Sequence, residues 1–173
     1  MPKPKIQSFL TDRGRLRLIE ASDLEHTLRW RNHDDSRRWF RYDQMLTIEQ
    51  HNNWFSSYLG KDDDFTFIFE VDDRPVGQFA VYNLDSTTRQ AEVGRILLDQ
   101  QSRGKGFASE ALYGVMALAK EQLFCRKLWL EVKKGNDKAI RVYQACSFQP
   151  VWEDADYVRM ERNFDEPFSR RVA

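Results

Sequence analysis

Gln101-Ser102-Arg103-Gly104-Lys105-Gly106-Phe107-Ala108 is a basic, glycine-bearing loop at the point where a strand-like pattern gives way to a long helix-like pattern. The apolar run Ile96-Leu97-Leu98 precedes it, and the residues from Ser109 to Leu123 carry a helical repeat of apolar side chains. A loop in this position presents backbone N–H groups at the positive end of the following helix, where anions bind. The stretch therefore predicts a phosphate-binding site, and an anionic cofactor is the ligand that we expect there.

Two familiar nucleotide motifs do not fit this loop. A P-loop requires Gly-x-x-x-x-Gly-Lys-Ser/Thr, whereas Lys105 is followed by Gly106 and Asp99 stands where the first glycine should be. A dinucleotide fingerprint requires a third glycine at the position that Ser109 occupies. What remains is Gln101-x-x-Gly104-x-Gly106 opening a helix after a strand, and a purely structural tight turn would use the same glycines.

The composition limits the class of protein. Lys plus Arg (27) balances Asp plus Glu (27) over 173 residues, so there is no overall basic field and a nucleic-acid partner is not expected. A chain of this length predicts a single domain over residues 1–173. No run of about 18 apolar residues occurs, and no signal-peptide core follows the basic Met1–Lys5 stretch. We therefore expect a soluble, cytoplasmic protein without a membrane partner.

The cysteines and histidines give no sign of a metal site. Cys125 and Cys146 lie singly in apolar segments without CxxC spacing, which is typical of buried reduced thiols. His26, His33 and His51 are scattered and form no ligand motif, so no metal is expected.

The order of predicted elements indicates an α/β or α+β domain with a mixed central sheet. Capping boxes are predicted at Ser22-x-x-Glu25, for a helix ending near 32–33, and at Thr47-x-x-Gln50, for a helix with Ile48, Phe55 and Leu59 on its apolar face. A short helix is expected at 35–40, a long one at 107–123 and another from a cap at 135–137 to about 145. The expected strands are 14–20, 65–71, 76–82, 90–98, 127–132, 147–152 and 157–163.

A second group of residues lies downstream of the loop. Its members are Leu130-Glu131-Val132, Asn136, Ala139, Ile140, Tyr143 and Ser147-Phe148. Together with Gln101-x-x-Gly104-x-Gly106, the group resembles the GNAT superfamily of acetyl-CoA-dependent N-acetyltransferases. That superfamily has Gln/Arg-x-x-Gly-x-Gly/Ala at a helix start and later LEV, Asn-x-x-Ala, Tyr and Gly-Phe. The one visible departure is Ser147, which stands where the family usually has glycine.

The resemblance covers about the whole chain, because the order of elements is also similar. It implies a GNAT fold, with a mixed central β-sheet of about seven strands flanked by helices. In that fold the strands at 90–98 and 127–132 would splay apart and admit the acetyl thioester between them.

The same resemblance implies acetyl-CoA as co-substrate. The loop would hold its pyrophosphate through backbone N–H groups, with Arg103 and Lys105 adding charge, and the strand at 96–98 would pair with the pantetheine arm as if it were another strand. The implied cofactor-binding residues are Ile96, Leu97, Leu98, Arg103, Gly104, Lys105, Gly106, Phe107, Ala108, Asn136, Lys138 and Tyr143.

Acetyl transfer by direct attack of an amine in a ternary complex needs a base for the amine and a proton for the departing thiolate. Glu131, twelve residues before Tyr143, resembles the base of the family's ribosomal-protein and N-terminal enzymes. Glu92 lies on the facing strand, where sugar-nucleotide and polyamine enzymes often carry a glutamate. Either glutamate is a candidate base or a strand residue paired with an arginine. Tyr143 is the candidate acid, and a core tyrosine is its alternative.

Basic and aromatic residues share the N-terminal helices, where this fold usually meets its acceptor. The predicted acceptor-binding residues are Arg31, Arg38, Trp39, His51 and Trp54. Guanidinium groups bind phosphates and indoles stack on a base or sugar, whereas the alternative is simple packing of helices onto the sheet. This stretch resembles GNAT enzymes that acetylate a nucleotide-linked amino sugar, as in the pseudaminic-acid pathway.

Other functions remain open on the sequence. A ribosomal-protein or other N-terminal acetyltransferase shares the overall pattern. A polyamine acceptor is disfavoured because Arg31, Arg37, Arg38 and Arg41 would repel a polycation. A non-catalytic acyl-CoA-binding module and a nucleotide-binding regulatory domain are candidates of a different class, and both a monomer and a homodimer are compatible with the chain.

Overall fold

The computed structural model describes residues 3–165. The C-terminal residues from Phe168, which their position predicts to be frayed, lie outside this range. The helices are α1 (Leu24–Asn32), α2 (Asp34–Arg37), α3 (Ile48–Leu59), α4 (Phe107–Glu121) and α5 (Asp137–Ala145). The strands are β1 (Phe9–Leu10), β2 (Gly14–Leu18), β3 (Phe65–Val71), β4 (Arg74–Asp85), β5 (Gln90–Leu98), β6 (Lys127–Lys133), β7 (Gln149–Glu153) and β8 (Tyr157–Asn163).

All eight strands form one mixed sheet in the order β1-β2-β3-β4-β5-β6-β8-β7. Every neighbouring pair is antiparallel except β5 and β6, which are parallel. The predicted mixed sheet and its run of three antiparallel strands are confirmed. The eighth strand is β1, whose two residues are too short to produce a period-2 pattern.

The sheet opens between β5 and β6, as predicted. Their pairing covers only Gln90↔Lys127, Ala91↔Leu128 and Glu92↔Trp129, although both strands continue beyond these pairs. Just after the last pair, β5 holds one residue more than β4 between Gly94 and Leu97, and Arg95 has a φ of 50°. Such a β-bulge bends its strand and disrupts the local ladder, which accounts for the gap.

Both faces of the sheet are covered by helices. The main core lies between α4 and the sheet and contains Phe67, Phe69, Phe79 and Leu112. A smaller cluster on the opposite face joins Ile68 of β3 to residues of α3. Because β3 is buried on both faces, its sequence FTFIFEV has the apolar run Phe67-Ile68-Phe69 at its centre rather than a strict alternation.

The predicted capping box at Ser22-x-x-Glu25 is wrong. The carboxylate of Asp23 instead accepts a hydrogen bond from the Glu20 N–H at 2.8 Å and pairs with Arg17 at 2.7 Å. This arrangement forms a 3-10 turn over Ala21–Asp23, and α1 begins only after it. The capping box that forms here is Glu20-x-x-Asp23, two residues before the predicted one, and the ion pair of Asp23 with Arg17 of β2 holds it in place.

The capping box at Thr47-x-x-Gln50 is confirmed. Ile48 and Leu59, predicted on the apolar face of α3, are exposed because they are the first and last residues of the helix. Within residues 3–165, no helix combines the length and apolar character that crossing a membrane requires.

Candidate active site

A cavity of about 300 Å³ lies where β5 and β6 part, and we call it the gap cavity. Its lining from the sheet includes Glu92, Ile96, Leu130 and Glu131, and α5 contributes Tyr143. The three predicted catalytic residues therefore line one space. They come from three different elements, which only the fold brings together.

Glu92 is held by two neutral donors. The Tyr82 hydroxyl donates to Oε1 at 2.9 Å, and the Asn83 side-chain amide donates to Oε2 at 3.0 Å. Burial raises the pKa of Glu92 above its usual value, and the negative charge of Glu131 adds to the rise. A carboxylate with a raised pKa in a cavity is a candidate general base.

Glu131 has a different environment. Its carboxylate pairs with the guanidinium of Arg41, which stacks over the Tyr157 ring at 3.8 Å. Sequence reasoning named an arginine partner as the alternative role for this glutamate, and the structure supplies one.

Tyr143 faces inward from α5, as predicted, and packs edge-on against Phe148. Burial raises the pKa of its phenol above the ordinary value, so the hydroxyl stays protonated at neutral pH. Tyr143 lines both the gap cavity and a second cavity beside it. Tyr143 therefore stands between the two cavities.

The second cavity, of about 380 Å³, runs beside the basic loop, and we call it the loop groove. Gly104 and Gly106 have φ values of 74° and 79°, in the region that favours glycine. Gly106 is the N-cap of α4 and provides no side-chain cap, which leaves first-turn N–H groups for a ligand. This bare helix start fits a phosphate group of acetyl-CoA.

Nine of the twelve predicted cofactor residues line the loop groove. They are Ile96, Leu97, Leu98, Arg103, Gly104, Ala108, Asn136, Lys138 and Tyr143. The other three, Lys105, Gly106 and Phe107, are outside this lining; Phe107 is buried in the core, and the Lys105 carbonyl accepts a hydrogen bond from Arg13 at 2.8 Å. Gly106 and the buried Phe107 could meet a cofactor only through their backbone, whereas the Lys105 side chain is exposed.

Two of the lining residues also have structural partners. The Asn136 side chain caps α5 by accepting from the Ala139 N–H at 3.4 Å. Arg103 donates to the Ser36 hydroxyl at 2.9 Å and lies 3.9 Å from Asp35. Sequence reasoning missed Asp35 and Ser36 as neighbours of the loop, because nothing local to α2 indicates a contact across almost 70 residues.

A third cavity, of about 300 Å³, lies between α1, α3 and the sheet, and we call it the helix cavity. Its lining residues are Thr27, Arg31, Phe40, Leu46, Gln50, His51, Trp54, Gln78, Arg95 and Leu97. Three of the predicted acceptor residues are among them. His51 is buried, with Nε2 at 2.8 Å from the Thr27 hydroxyl, and burial lowers its pKa, so its imidazole is neutral at pH 7.

The remaining two predicted acceptor residues are placed differently. Trp39 lines the gap cavity and the loop groove. Arg38 is exposed, stacks over the Trp39 ring at 4.9 Å and lies 3.8 Å from Asp35. Arg38 is not part of the lining of any of these three cavities.

Arg95 and Gln78 line the site and were not predicted. Arg95 sits at the bulge and binds the carboxylate of Asp64 through two hydrogen bonds of 2.7 and 3.0 Å. The glycine at position 94, inside a strand pattern, is the one sequence signal for a bulge here.

The gap cavity is cationic. Four basic side chains, those of Arg31, Arg41, Arg95 and Lys133, line it against the two carboxylates of Glu92 and Glu131. The helix cavity has Arg31 and Arg95 and no acidic residue in its lining. Across residues 3–165, no cluster of three or more His, Cys, Asp or Glu side chains is arranged to hold a metal.

Comparison with known sequences gives one family. A sequence model described as an acetyltransferase (GNAT) domain matches residues 13–149. Spermidine N(1)-acetyltransferase of Escherichia coli K12 is 25% identical over 134 residues, which are 78% of this chain and 72% of that protein.

Solved structures share the fold. FdhC, a nucleotide-linked sugar GNAT, superposes with a TM-score of 0.82 at 21% identity over 93% of this chain and 92% of its own. Spermidine N-acetyltransferase of Vibrio cholerae, in complex with CoA and spermine, superposes with a TM-score of 0.81 at 19% identity over 88% of this chain and 96% of its own. RimL, a ribosomal L7/L12 alpha-N-protein acetyltransferase in complex with coenzyme A, superposes with a TM-score of 0.81 at 12% identity over 92% of this chain and 99% of its own.

Proposed function

The chain belongs to the GNAT acetyltransferase family, and from that premise we propose that it acetylates the primary amine of a nucleotide-linked amino sugar. Acetyl-CoA is the co-substrate of this family and supplies an acetyl thioester. The proposal concerns the acceptor and the residues that act on it.

The observation that carries this choice of acceptor is the charge of the cavities. The gap cavity has four basic side chains against two carboxylates. Arg41 is paired with Glu131 and Arg95 with Asp64, which leaves Arg31 and Lys133 against the single carboxylate of Glu92. Cationic cavities attract and hold anionic groups. A nucleotide-linked sugar brings a diphosphate into this surrounding, whereas a polyamine brings several positive charges.

The loop groove would hold acetyl-CoA. We assign the first-turn N–H groups of α4 to its phosphates, since the N-cap Gly106 provides no side-chain cap and nothing lies within 4 Å of the position that a Cβ would take at Gly104. The edge of β5 from Val93 to Leu98 has no pairing with β6, so it is free to pair with the extended pantetheine arm.

Glu92 and Tyr143 are the proposed proton-transfer pair. Glu92 accepts a proton from the amine, and its raised pKa suits it to that role at neutral pH. As the new C–N bond forms and the C–S bond breaks, Tyr143 donates its proton to the sulfur. Glu131 is the alternative base, and it would first have to separate from Arg41.

The deciding experiment is a steady-state assay with acetyl-CoA against UDP-linked and dTDP-linked amino sugars, peptides with free N-termini, and spermidine. We expect the highest kcat/KM with a nucleotide-linked amino sugar. A higher value with spermidine or a peptide would contradict this choice of acceptor.

Cofactor binding is tested separately by thermal shift. Because a ligand that binds only the folded state raises Tm, acetyl-CoA is expected to raise Tm and ATP and NAD are not. No response to acetyl-CoA would contradict the assignment of the loop groove.

A polyamine is the second candidate acceptor. It is favoured by the similarity to the spermidine N(1)-acetyltransferase of Escherichia coli over 78% of this chain. The charge of the gap cavity opposes it, and the assay above separates the two.

A further inference from the structure

The helix cavity adjoins the gap cavity. Arg31, Phe40 and Arg95 line both. An extended ligand with one end in the helix cavity and the other at Glu92 and Tyr143 would pass along these three side chains.

Two buried polar atoms in this lining have no hydrogen-bond partner. They are Nη1 of Arg31 and Oε1 of Gln78. Arg31 is 8% exposed and Gln78 is 5% exposed, so solvent does not satisfy either side chain freely. Leaving a buried donor or acceptor unpaired costs about 1–3 kcal/mol, and more for a charged group. Both residues line the same cavity, which points to a ligand in it that meets both side chains.

The orientation of each group is fixed by its other contacts. The Gln78 Nε2 donates to the Arg95 carbonyl at 3.0 Å, so a flipped amide would place two oxygens against each other. The Arg31 Nη2 donates to the Tyr42 carbonyl, and the guanidinium lies 4.2 Å from the Phe40 ring centre. The unpaired atoms are therefore a donor at Arg31 and an acceptor at Gln78.

This pair excludes several kinds of ligand group. A phosphate or carboxylate would satisfy Arg31 and leave the Gln78 oxygen facing another oxygen. An ammonium group would satisfy Gln78 and be repelled by Arg31. A wholly apolar group would leave both atoms unpaired. A group that carries an acceptor next to an N–H donor satisfies both.

The walls of the cavity favour a planar ring. Phe40 and Trp54 provide aromatic surfaces, and Leu46 and Leu97 provide aliphatic ones. A volume of about 300 Å³ is at the lower end for ligand pockets, which suits one ring rather than a whole nucleotide.

We propose that the helix cavity binds the pyrimidine base of the acceptor, with Arg31 Nη1 donating to a ring carbonyl and Gln78 Oε1 accepting from the adjacent ring N–H. This rests on the proposed nucleotide-linked acceptor. Arg31 and Arg95, shared by the two cavities, then stand where the diphosphate passes from the base toward the sugar amine in the gap cavity.

The test is calorimetric titration with UDP, N3-methyl-UDP and inorganic pyrophosphate, using the wild-type chain and Gln78→Leu. In the wild type, methylation of the ring nitrogen removes the donor and is expected to weaken binding about tenfold, the effect of about 1.4 kcal/mol. Gln78→Leu is expected to bind UDP about tenfold more weakly and to distinguish UDP from its N3-methyl form far less. Unchanged acetyl-CoA affinity and Tm show that the variant is folded.

Three results would overturn the base site. These are equal binding of UDP and N3-methyl-UDP by the wild type, equal binding of UDP by both proteins, and pyrophosphate binding as tight as UDP. The outcome is separate from that of the acceptor assay. UDP binding that depends on Gln78, without acetylation of any nucleotide-linked amino sugar, would refute the proposed acceptor and leave the base site standing.

Discussion

Two glutamates of the same gap cavity are distinguished by their neighbours. Glu92 is desolvated and accepts hydrogen bonds from the neutral Tyr82 and Asn83, whereas Glu131 meets the cation Arg41. Burial raises the pKa of Glu92, and a carboxylate with a raised pKa is the better proton acceptor near neutral pH. These contacts favour Glu92 as the proposed base.

The pH dependence of turnover tests this selection through Tyr82→Phe. The Tyr82 hydroxyl stabilises the ionised form of Glu92 and so lowers its pKa, against the larger effect of burial. Removing the hydroxyl therefore raises the pKa of Glu92 further. The acid limb of kcat/KM is expected to move to higher pH in the variant. The acceptor amine titrates identically with both enzymes, so a limb that does not move would contradict Glu92 as the base.

Tyr143→Phe tests the proposed acid. The variant removes one buried hydroxyl and keeps the ring packed on Phe148, so we expect acetyl-CoA affinity to hold while kcat falls about 100-fold, a typical loss for a general acid. Pre-steady-state and steady-state assays at saturating acetyl-CoA measure the loss of turnover. Tyr157→Phe, which removes another hydroxyl from the gap cavity, is the matched control and should lose much less. Equal losses in the two variants would remove Tyr143 from this role.

At the scale of elements, the site depends on a defect in the sheet. The bulge at Arg95 ends the pairing of β5 with β6 after Glu92 and frees an edge for the pantetheine arm. The same residue reaches Asp64, at the start of β3. A local break in one ladder thus opens the gap cavity and fixes a cation in its wall.

The start of each N-terminal helix gives a prediction about stability. Thr47 accepts from the Gln50 N–H at 3.1 Å, so Thr47→Ala is expected to lower the free energy of unfolding by about 1 kcal/mol. Ser22 forms no cap, because it lies inside the 3-10 turn whose capping box is formed by Glu20 and Asp23. Ser22→Ala is therefore expected to change the free energy of unfolding by less than about 0.5 kcal/mol. Chemical denaturation of both variants measures the difference. A larger effect at Ser22 would contradict the observed start of α1.

At the scale of the whole molecule, the fold could be predicted from the sequence because its elements leave local patterns, and so could most of the residues that line the loop groove. The glycine loop, the Asn136 cap and the inward spacing of Tyr143 can each be predicted within one element. Ser147, the one departure from the family pattern, has a φ of 65°, which explains why glycine is usual there.

The residues of the proposed acceptor site are harder to predict from the sequence. Gln78 and Arg95 lie on strands, and they line a cavity only because helices that are distant in the chain pack beside them. The pairing of Glu131 with Arg41 spans 90 residues. Such contacts leave no periodic signal, so Arg31 could be named from its helix, while Gln78 and Arg95, which line the same cavity, could not.

The cationic cavities predict a dependence of the whole enzyme on ionic strength. Raising KCl from about 50 to about 500 mM shortens the Debye length from roughly 14 Å to roughly 4 Å and screens the field of Arg31, Arg41, Arg95 and Lys133. At saturating acetyl-CoA, kcat/KM for an anionic nucleotide-linked acceptor is expected to fall several-fold while kcat changes little, because the field acts on capture of the acceptor. Because the same field repels spermidine, kcat/KM for spermidine is expected to rise as the salt concentration is raised. Thermal melts at both salt concentrations confirm that the fold is intact, and a kcat/KM that rises with salt for the nucleotide-linked acceptor would contradict a cationic acceptor site.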